Sequence, residues 1–442
     1  LACMKPGTRG KRRATSRTQY IQAMERALAI ALHLEATGDL HQSLDVAFSK
    51  DLPSQVRGMA TGLAYTLAAR WGVVDRVLEE VQGESLSHST SLLRAALRVG
   101  AIEVLWQGKN PLEVSQALGE ALKERTSSRI IPRIRWVLKR VANFPLPRPG
   151  TFPEHAFWTY FFPPELAQKL KGLYGESGAL HFMAFVNQEK PPTTLRANRL
   201  KISREELAQR LAEKGITTRP SILAEGFLVL ESSHPVMRLE EFREGLFTIQ
   251  DQASGLAVAR LLEKGHPQAI LDACAAPGRK TGHLRELAPR AILVAMDLSL
   301  SRLARAREEL DRLEHRASIM AADATRPPFK EEVFSHILLD APCSGSGTLW
   351  SHPERRWFSR GQDLEELSRV QGKMLEALFP MLKPGGRLLY ATCSLWREEN
   401  EEVIQGFLTS HPRANLVSQE RLAPHTHGTT GFYMAVVEKP SS

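Results

Sequence analysis

From about residue 246 onward, short apolar runs alternate with helical stretches, and the runs end on residues able to do chemistry. Ala269-Ile270-Leu271-Asp272, the run from Ala291 to Asp297, Ser318-Ile319-Met320, the run from Phe334 to Asp340, and the run from Arg387 to Thr392 read as buried strands. A helix carrying Leu303, Ala306 and Leu310 at three- and four-residue steps falls between the second and the third. Strand-helix alternation of this kind predicts an α/β fold with a parallel, doubly wound sheet.

In such sheets ligands bind beyond the carboxyl ends of the strands. Asp272-Ala273-Cys274-Ala275-Ala276-Pro277-Gly278 leaves the first strand and enters a turn whose small residues let backbone approach a ligand. Asp297 ends the second strand, where a carboxylate can accept both hydroxyls of a ribose. Asp323 follows the third, where it can accept from the exocyclic amine of an adenine. A lone Asp at a strand end is usually a cap or a turn former. Three on successive strands favour an adenosyl ligand. GxGxxG is absent after the first strand and no GxxxxGK[ST] occurs, which weighs against a dehydrogenase or an ATPase.

Two further strand ends carry thiols, Asp340-Ala341-Pro342-Cys343 and Ala391-Thr392-Cys393. Four cysteines in 442 residues cannot form a disulfide framework, and Cys274, Cys343 and Cys393 lack the close pairing of a zinc site. Reduced thiols in a reducing compartment fit better, and thiols can be nucleophiles. No metal is expected. No apolar run reaches the length of a membrane span, so a cytoplasmic protein without a membrane partner is expected.

The net charge is +9, and it is clustered. Lys5, Arg9, Lys11, Arg12, Arg13 and Arg17 sit in a basic arm without acids, residues 1–17. A second acid-free cluster holds Arg129, Arg133, Arg135, Lys139, Arg140 and Arg148. Both suit a polyanion, because each Lys or Arg placed near a phosphate releases condensed counterions. Residues 18–144 read as all-helical, with stripes such as Tyr20, Met24, Leu28 and Leu32 and a stop at Gly38. Pro145, Pro147, Pro149 and Pro153 open a mixed α+β region, 145–245. The aromatics Phe157, Trp158, Tyr160, Phe161 and Phe162 behind them are expected in a core rather than stacked on bases. The sheet region then fills 246–442.

Residues Asp272 to Thr281 (DACAAPGRKT), Asp340 to Thr348 (DAPCSGSGT) and Tyr390 to Ser394 (YATCS) resemble the RNA cytosine-C5 methyltransferase family of Fmu/Sun/Nop2 type. Pro384-Gly385-Gly386, Gly431-Phe432-Tyr433, Leu195 to Asn198 and the segment Phe247 to Ser254 fit the same family. With its helical N-terminal region, similar to a NusB-type RNA-binding domain, the chain most resembles the bacterial 16S rRNA methyltransferase B group. The resemblance implies a Rossmann-like methyltransferase fold preceded by an all-α domain and a small α+β domain.

It also implies S-adenosylmethionine as cofactor, held by Ala273 to Gly278, Lys280, Asp297, Asp323 and Asp340. The substrate would be 16S rRNA, methylated at a position-967-type cytosine; a monomer is the default expectation, independent of the resemblance. C5 of cytosine is a poor nucleophile, and a thiolate added at C6 makes it electron-rich. In the family the nucleophile is the cysteine matching Cys393. The one matching Cys343 helps release the product, Asp340 holds the base edge, and Lys280 lines the site. DNA cytosine methyltransferases use a PC-motif cysteine instead, so the residues alone do not divide the roles. The target base must be unpaired or flipped.

The family usually has Gly where this chain has Arg279, which predicts either a relaxed turn or weakened cofactor binding. A tRNA cytosine methyltransferase and a noncatalytic RNA-binding assembly factor remain the alternatives. The retained thiols argue against the second.

Overall fold

The structure, a computed structural model, describes residues 16–49, 51–126, 130–188, 191–232, 234–265, 267–359 and 364–441. Residues 1–15 of the basic arm and Arg129 of the second cluster lie outside the described residues. The chain divides into two compact units, Leu1–Leu180 with His352–Arg360, and His181–Ser351 with Gly361–Ser442.

The first unit is helical, with α1 (Arg17–Thr37), α2 (Leu40–Ala47), α3 (Ser54–Gln82), α4 (Ser91–Leu105), α5 (Pro111–Ala121) and α6 (Ile130–Val141). Each boundary has a local cause. A capping box of Ser16 and Gln19 starts α1, and Gly38 ends it with φ +68°. Thr90 caps α4, and Asn110, followed by Pro111, caps α5. The apolar stripes meet in one core that includes Leu28, Leu34, Val74, Leu97, Leu118 and Leu138. Phe157, Trp158 and Phe161 pack against that core, as expected of them, and Phe162 is buried.

A distant stretch joins this unit. Trp357 donates its indole N–H to the Ala69 carbonyl at 3.2 Å. A Cβ on Gly72 would lie 2.2 Å from the Trp357 ring, so glycine makes room for it. Phe358 meets Trp71 edge-on at 5.0 Å, and the Arg356 guanidinium lies 4.2 Å above the Phe162 ring. Nothing in the spacing of residues 352–360 announces this membership, because it rests on shape fit with residues nearly 300 positions away.

The second unit carries two sheets. The smaller is antiparallel, in the order β2-β3-β1-β4, from β1 (Thr194–Ala197), β2 (Thr218–Pro220), β3 (Phe227–Leu230) and β4 (Phe247–Ile249). The larger has seven strands in the order β10-β11-β9-β8-β5-β6-β7. Its strands are β5 (Ala269–Asp272), β6 (Ile292–Asp297), β7 (Ser318–Ala321), β8 (Phe334–Asp340), β9 (Leu382–Thr392), β10 (Asn415–Leu422) and β11 (Phe432–Glu438). Strands β5 to β9 run parallel as expected, while β10 and β11 pair antiparallel at one edge. The sheet is therefore mixed rather than wholly parallel. The short connection from β10 to β11 has no room for the crossover that a parallel pair needs.

Neighbouring residues of each central strand serve opposite faces. Ile270, Leu338 and Leu389 face Val258 and Leu284 of the helices Gln252–Leu262 and Arg279–Leu287. Leu271, Leu339 and Leu388 face Leu375 and Ile404 of the helices Leu364–Leu378 and Glu401–Ser410. Burial on both faces is why these strands read as unbroken apolar runs. Among the described residues no helix is long and apolar enough to cross a membrane.

Polar side chains, the fully buried Arg196 and Asn198 among them, join the small sheet to the rest of the unit. Arg196 of β1, only 1% exposed, pairs with Glu286 at 2.9 Å and donates to the Arg279 carbonyl at 2.6 Å. Asn198 donates to the carbonyls of Gly245 and Leu313. Asp251 caps the helix Gln252–Leu262 and accepts from the hydroxyls of Thr429 and Thr430.

Candidate active site

The turn after β5 is built for close approach. Ala273 and Ala275 tie back by backbone N–H to Leu338 and Met296, each at 2.8 Å, which pins the turn to both neighbouring strands. Gly278 adopts φ +94°, and a Cβ there would meet the Ala306 backbone at 3.0 Å. The left-handed position is thus Gly278. Arg279 is the first residue of the next helix, and it is not among the residues of positive φ. The strain expected of an arginine at this place does not arise. Its carbonyl is held by Arg196 while its side chain is exposed.

Asp272 is fully buried. One carboxylate oxygen accepts from the Thr281 hydroxyl at 2.6 Å, and the other, Oδ1, has no partner. Burial pushes its pKa up to about 7, partly opposed by the Thr281 bond and by Lys280. Asp297 accepts from the backbone N–H of Ala276 at 3.2 Å and of Ser299 at 3.0 Å, one on each oxygen. Asp323 is more open. Its Oδ1 accepts from the Thr325 N–H and hydroxyl, which hold its pKa below the usual carboxylate value. Burial, with the negative charges of Asp340 and Asp272, pushes the Cys274 thiol up, so it stays a small neutral group.

Lys280, Asp340, Cys343 and Cys393 come together. The Lys280 ammonium lies 2.5 Å from Asp340 Oδ2. Burial opposes its charge, but the attraction of Asp340 and the hydrogen bond to it win, and its pKa is raised. Cys343 and Cys393, fifty residues apart, stand with their sulfurs 3.3 Å apart. The hydrogen bond with Cys393, followed by burial, holds the Cys343 thiol well above its usual pKa, and the charge of Glu399 adds to this. Cys393, by contrast, is among the charges felt by Lys280.

Three loops converge to make this possible, and glycines permit it. Gly347 donates its N–H to the Cys393 carbonyl at 2.8 Å, and Gly431 donates to the Gly347 carbonyl at 2.9 Å. A Cβ on Gly347 would sit 2.0 Å from the Gly431 oxygen.

Glu399, wholly buried, was not singled out from the sequence. It accepts from the Ser344 N–H at 2.8 Å, the Ser344 hydroxyl at 2.6 Å, the Ser394 hydroxyl at 2.5 Å and the Gln371 amide at 3.1 Å. Ser344 follows one cysteine and Ser394 the other, so this single carboxylate clamps both thiol loops. Gln371 also donates to the Pro342 carbonyl and accepts from the Tyr390 hydroxyl. In sequence, Glu399 lies within Arg397-Glu398-Glu399-Asn400-Glu401-Glu402, which reads as a solvated charged run. Among the described residues no group of three or more His, Cys, Asp or Glu side chains could hold a metal ion.

A seven-stranded sheet with one antiparallel edge, and carboxylates and thiols gathered beyond its strand ends, defines a Rossmann-like methyltransferase. The profile of the 16S rRNA methyltransferase RsmB/F family matches residues 259–438, and that of the RsmF/B-like ferredoxin-like domain matches residues 162–237. Ribosomal RNA small subunit methyltransferase B of Vibrio cholerae is 33% identical over 428 residues, 91% of this chain and 96% of that one. The solved structure of PH0851 aligns with TM-score 0.84 and 29% identity, over 97% of this chain and 100% of that one. NSun6 from Pyrococcus horikoshii, solved with SFG, aligns with TM-score 0.56 and 23% identity, over 64% of this chain and 99% of that one. The chain belongs to the 16S rRNA methyltransferase RsmB/F family, and it is an RNA methyltransferase.

Proposed function

We propose that this protein methylates C5 of a cytosine in 16S rRNA, of the position-967 type, with S-adenosylmethionine as donor and Cys393 as covalent nucleophile. The observation that carries the reading is the pair of sulfurs at 3.3 Å, with Lys280 and Asp340 beside them. A small-molecule methyltransferase would need neither paired thiols nor clustered basic side chains. Loci where rRNA is made and matured, in the cytoplasm, follow from this substrate.

The residues beyond β5, β6 and β7 fit the cofactor. The partnerless Oδ1 of buried Asp272 lacks a donor, which the ammonium of a methionine group would supply. Ala273 to Gly278 would lie along the chain of the molecule, Asp297 would take the ribose and Asp323 the adenine amine. Leu298, 74% exposed beside Asp297, offers an apolar wall to the adenine ring. S-adenosylmethionine, when bound, supplies the methyl group as an electrophile. NSun6 from Pyrococcus horikoshii was solved with SFG, an analogue of that molecule, which supports the assignment.

The protein's own groups divide the work. Lys280 favours a thiolate at Cys393, because an adjacent ammonium stabilises the charged sulfur. That sulfur adds to C6 of a flipped cytosine, and the displaced electron pair makes C5 nucleophilic. Asp340, fixed by Lys280, holds the N3 and amine edge of the base and favours protonation as the sulfur adds. A base then takes the C5 proton, and the freed electron pair re-forms the C5–C6 double bond as the thiolate leaves C6. Cys343 remains a thiol at the same stage, placed to hydrogen-bond the departing thiolate and ease its release.

The test is methyl transfer from labelled S-adenosylmethionine to unmodified 16S rRNA by the parent, Cys393→Ala and Cys343→Ala. Activity lost in Cys393→Ala, with an RNA adduct trapped by Cys343→Ala, is the expected result. Transfer to tRNA instead would move the substrate and keep the chemistry. A parent that fails to bind S-adenosylmethionine would leave a noncatalytic RNA-binding factor.

A further inference from the structure

The solvent face of α6 has a composition that the helical unit does not need for folding. Ile134, Val137, Leu138 and Val141 turn inward and are fully buried. The residues between them, Arg133, Arg135, Trp136, Lys139 and Arg140, are all exposed. At 100° per residue, Arg133, Trp136, Lys139 and Arg140 fall within about 60° of one line along the helix, and Arg135 flanks them. No acid occurs in the helix.

Trp136 is 49% exposed, although an indole of this size is ordinarily covered in a folded protein. The Arg140 guanidinium stacks over it at 4.8 Å. Arg133 is tied to Glu84 at 2.5 Å. Arg135, Lys139 and Arg140 make no ion pair among the described residues, nor does the exposed Arg148 that follows. Leu146, in the chain between Arg140 and Arg148, is 46% exposed. A helix that spent its polar face only on solubility would mix signs and would not expose an aromatic ring.

We infer that this face is a docking surface for unpaired RNA, with Trp136 as a stacking platform for a base and Arg135, Lys139, Arg140 and Arg148 on the flanking phosphates. Charge complementarity selects the partner, since four cations without acidic counterparts suit a phosphate backbone. The ring selects single strand over duplex, because a base must be unstacked to lie on an aromatic side chain. The inference deepens the RNA methyltransferase reading. It concerns how substrate is held at the helical unit, and affinity alone reads it out.

The experiment measures binding of the full-length parent, Trp136→Ala, Trp136→Phe and a triple Arg135→Gln/Lys139→Gln/Arg140→Gln variant to 16S rRNA fragments. An unpaired oligonucleotide and a duplex of the same sequence are compared across a salt series. Because all the altered side chains are exposed, thermal midpoints should match the parent, which separates lost binding from lost folding. Trp136→Ala is expected to weaken single-strand binding about tenfold while leaving duplex binding nearly intact, and Trp136→Phe should recover most of the loss. The triple variant should reduce the slope of log affinity against log salt by about 2, at roughly 0.7 per single-strand phosphate contact. Affinities within twofold of the parent, with an unchanged salt slope, overturn the inference. So does an equal loss on duplex and single strand, which would remove the stacking role. If the parent binds RNA through this face but transfers no methyl group, the docking surface stands and the enzymatic reading falls.

Discussion

Replacing Glu399 by alanine should cost both stability and the alignment of the two thiols. The carboxylate accepts four hydrogen bonds in a buried setting, from Ser344 twice, from Ser394 and from Gln371. An unsatisfied buried donor costs about 1–3 kcal/mol, and the two hydroxyls can turn toward other partners. The Ser344 N–H and the Gln371 amide cannot turn as freely. The expected loss is therefore about 3–5 kcal/mol, or a fall of about 10 °C in the midpoint of the sheet unit. Glu399→Gln preserves the volume, and the serine hydroxyls can rotate to accept from the new amide, so about 1–2 kcal/mol is expected.

Function should suffer more than stability in the glutamine variant. The loops it anchors set a 3.3 Å gap between sulfurs, and misplacement by about 1 Å can cost on the order of a hundredfold in rate. Losing the negative charge also removes one of the influences that hold the Cys343 thiol high, so Cys343 should alkylate at lower pH. The assay is thermal unfolding alongside methyl transfer to 16S rRNA, with iodoacetamide labelling mapped at each cysteine across a pH series. A Glu399→Ala variant that melts within about 1 °C of the parent and transfers at the parental rate refutes the clamp.

Lys280→Met should shift Cys393 alkylation to higher pH and abolish most transfer, because the ammonium beside that sulfur is gone; labelling at the parental pH would contradict the division of roles. Asp272 has its folded pKa raised to about 7 by burial, so the fold favours its protonated form and stability falls as pH rises from about 4 through 7. Asp272→Asn should flatten the melting temperature over that window and weaken S-adenosylmethionine binding, both measurable by calorimetry. Gly347→Ala places a methyl group 2.0 Å from the Gly431 oxygen, and must push apart the loops that carry Cys343 and Cys393. A loss of several kcal/mol in thermal unfolding and of nearly all transfer is expected.

Much of the sheet was legible in the residues because its central strands are buried on both faces and end in Asp272, Asp297, Asp340 and Thr392. An apolar run closed by a polar residue is a local pattern, and local patterns survive in a sequence. The helices of the first unit were legible for the same reason, through their stripes and through stops such as Gly38. That Cys343 and Cys393 both follow strand ends was legible in the residues, but the 3.3 Å approach of their sulfurs was not, since fifty residues separate them and no spacing rule links them. The family's usual glycine at this place made Arg279 look strained, because the residue that takes the left-handed conformation, Gly278, cannot be told from its neighbour without backbone angles.

What the tertiary structure alone decided is contact between remote polar groups. Glu399 looks solvated in its acidic run and is wholly buried. Arg196 looks like an ordinary surface cation and holds Glu286 and the start of the helix Arg279–Leu287 from inside. Residues 352–360 follow a strand-end loop in sequence, yet Trp357 completes the helical core. A sequence records which side chains are apolar and at what interval, and that determines elements and their faces. Whether a charge is buried depends on partners brought from elsewhere in the chain, and only packing supplies them.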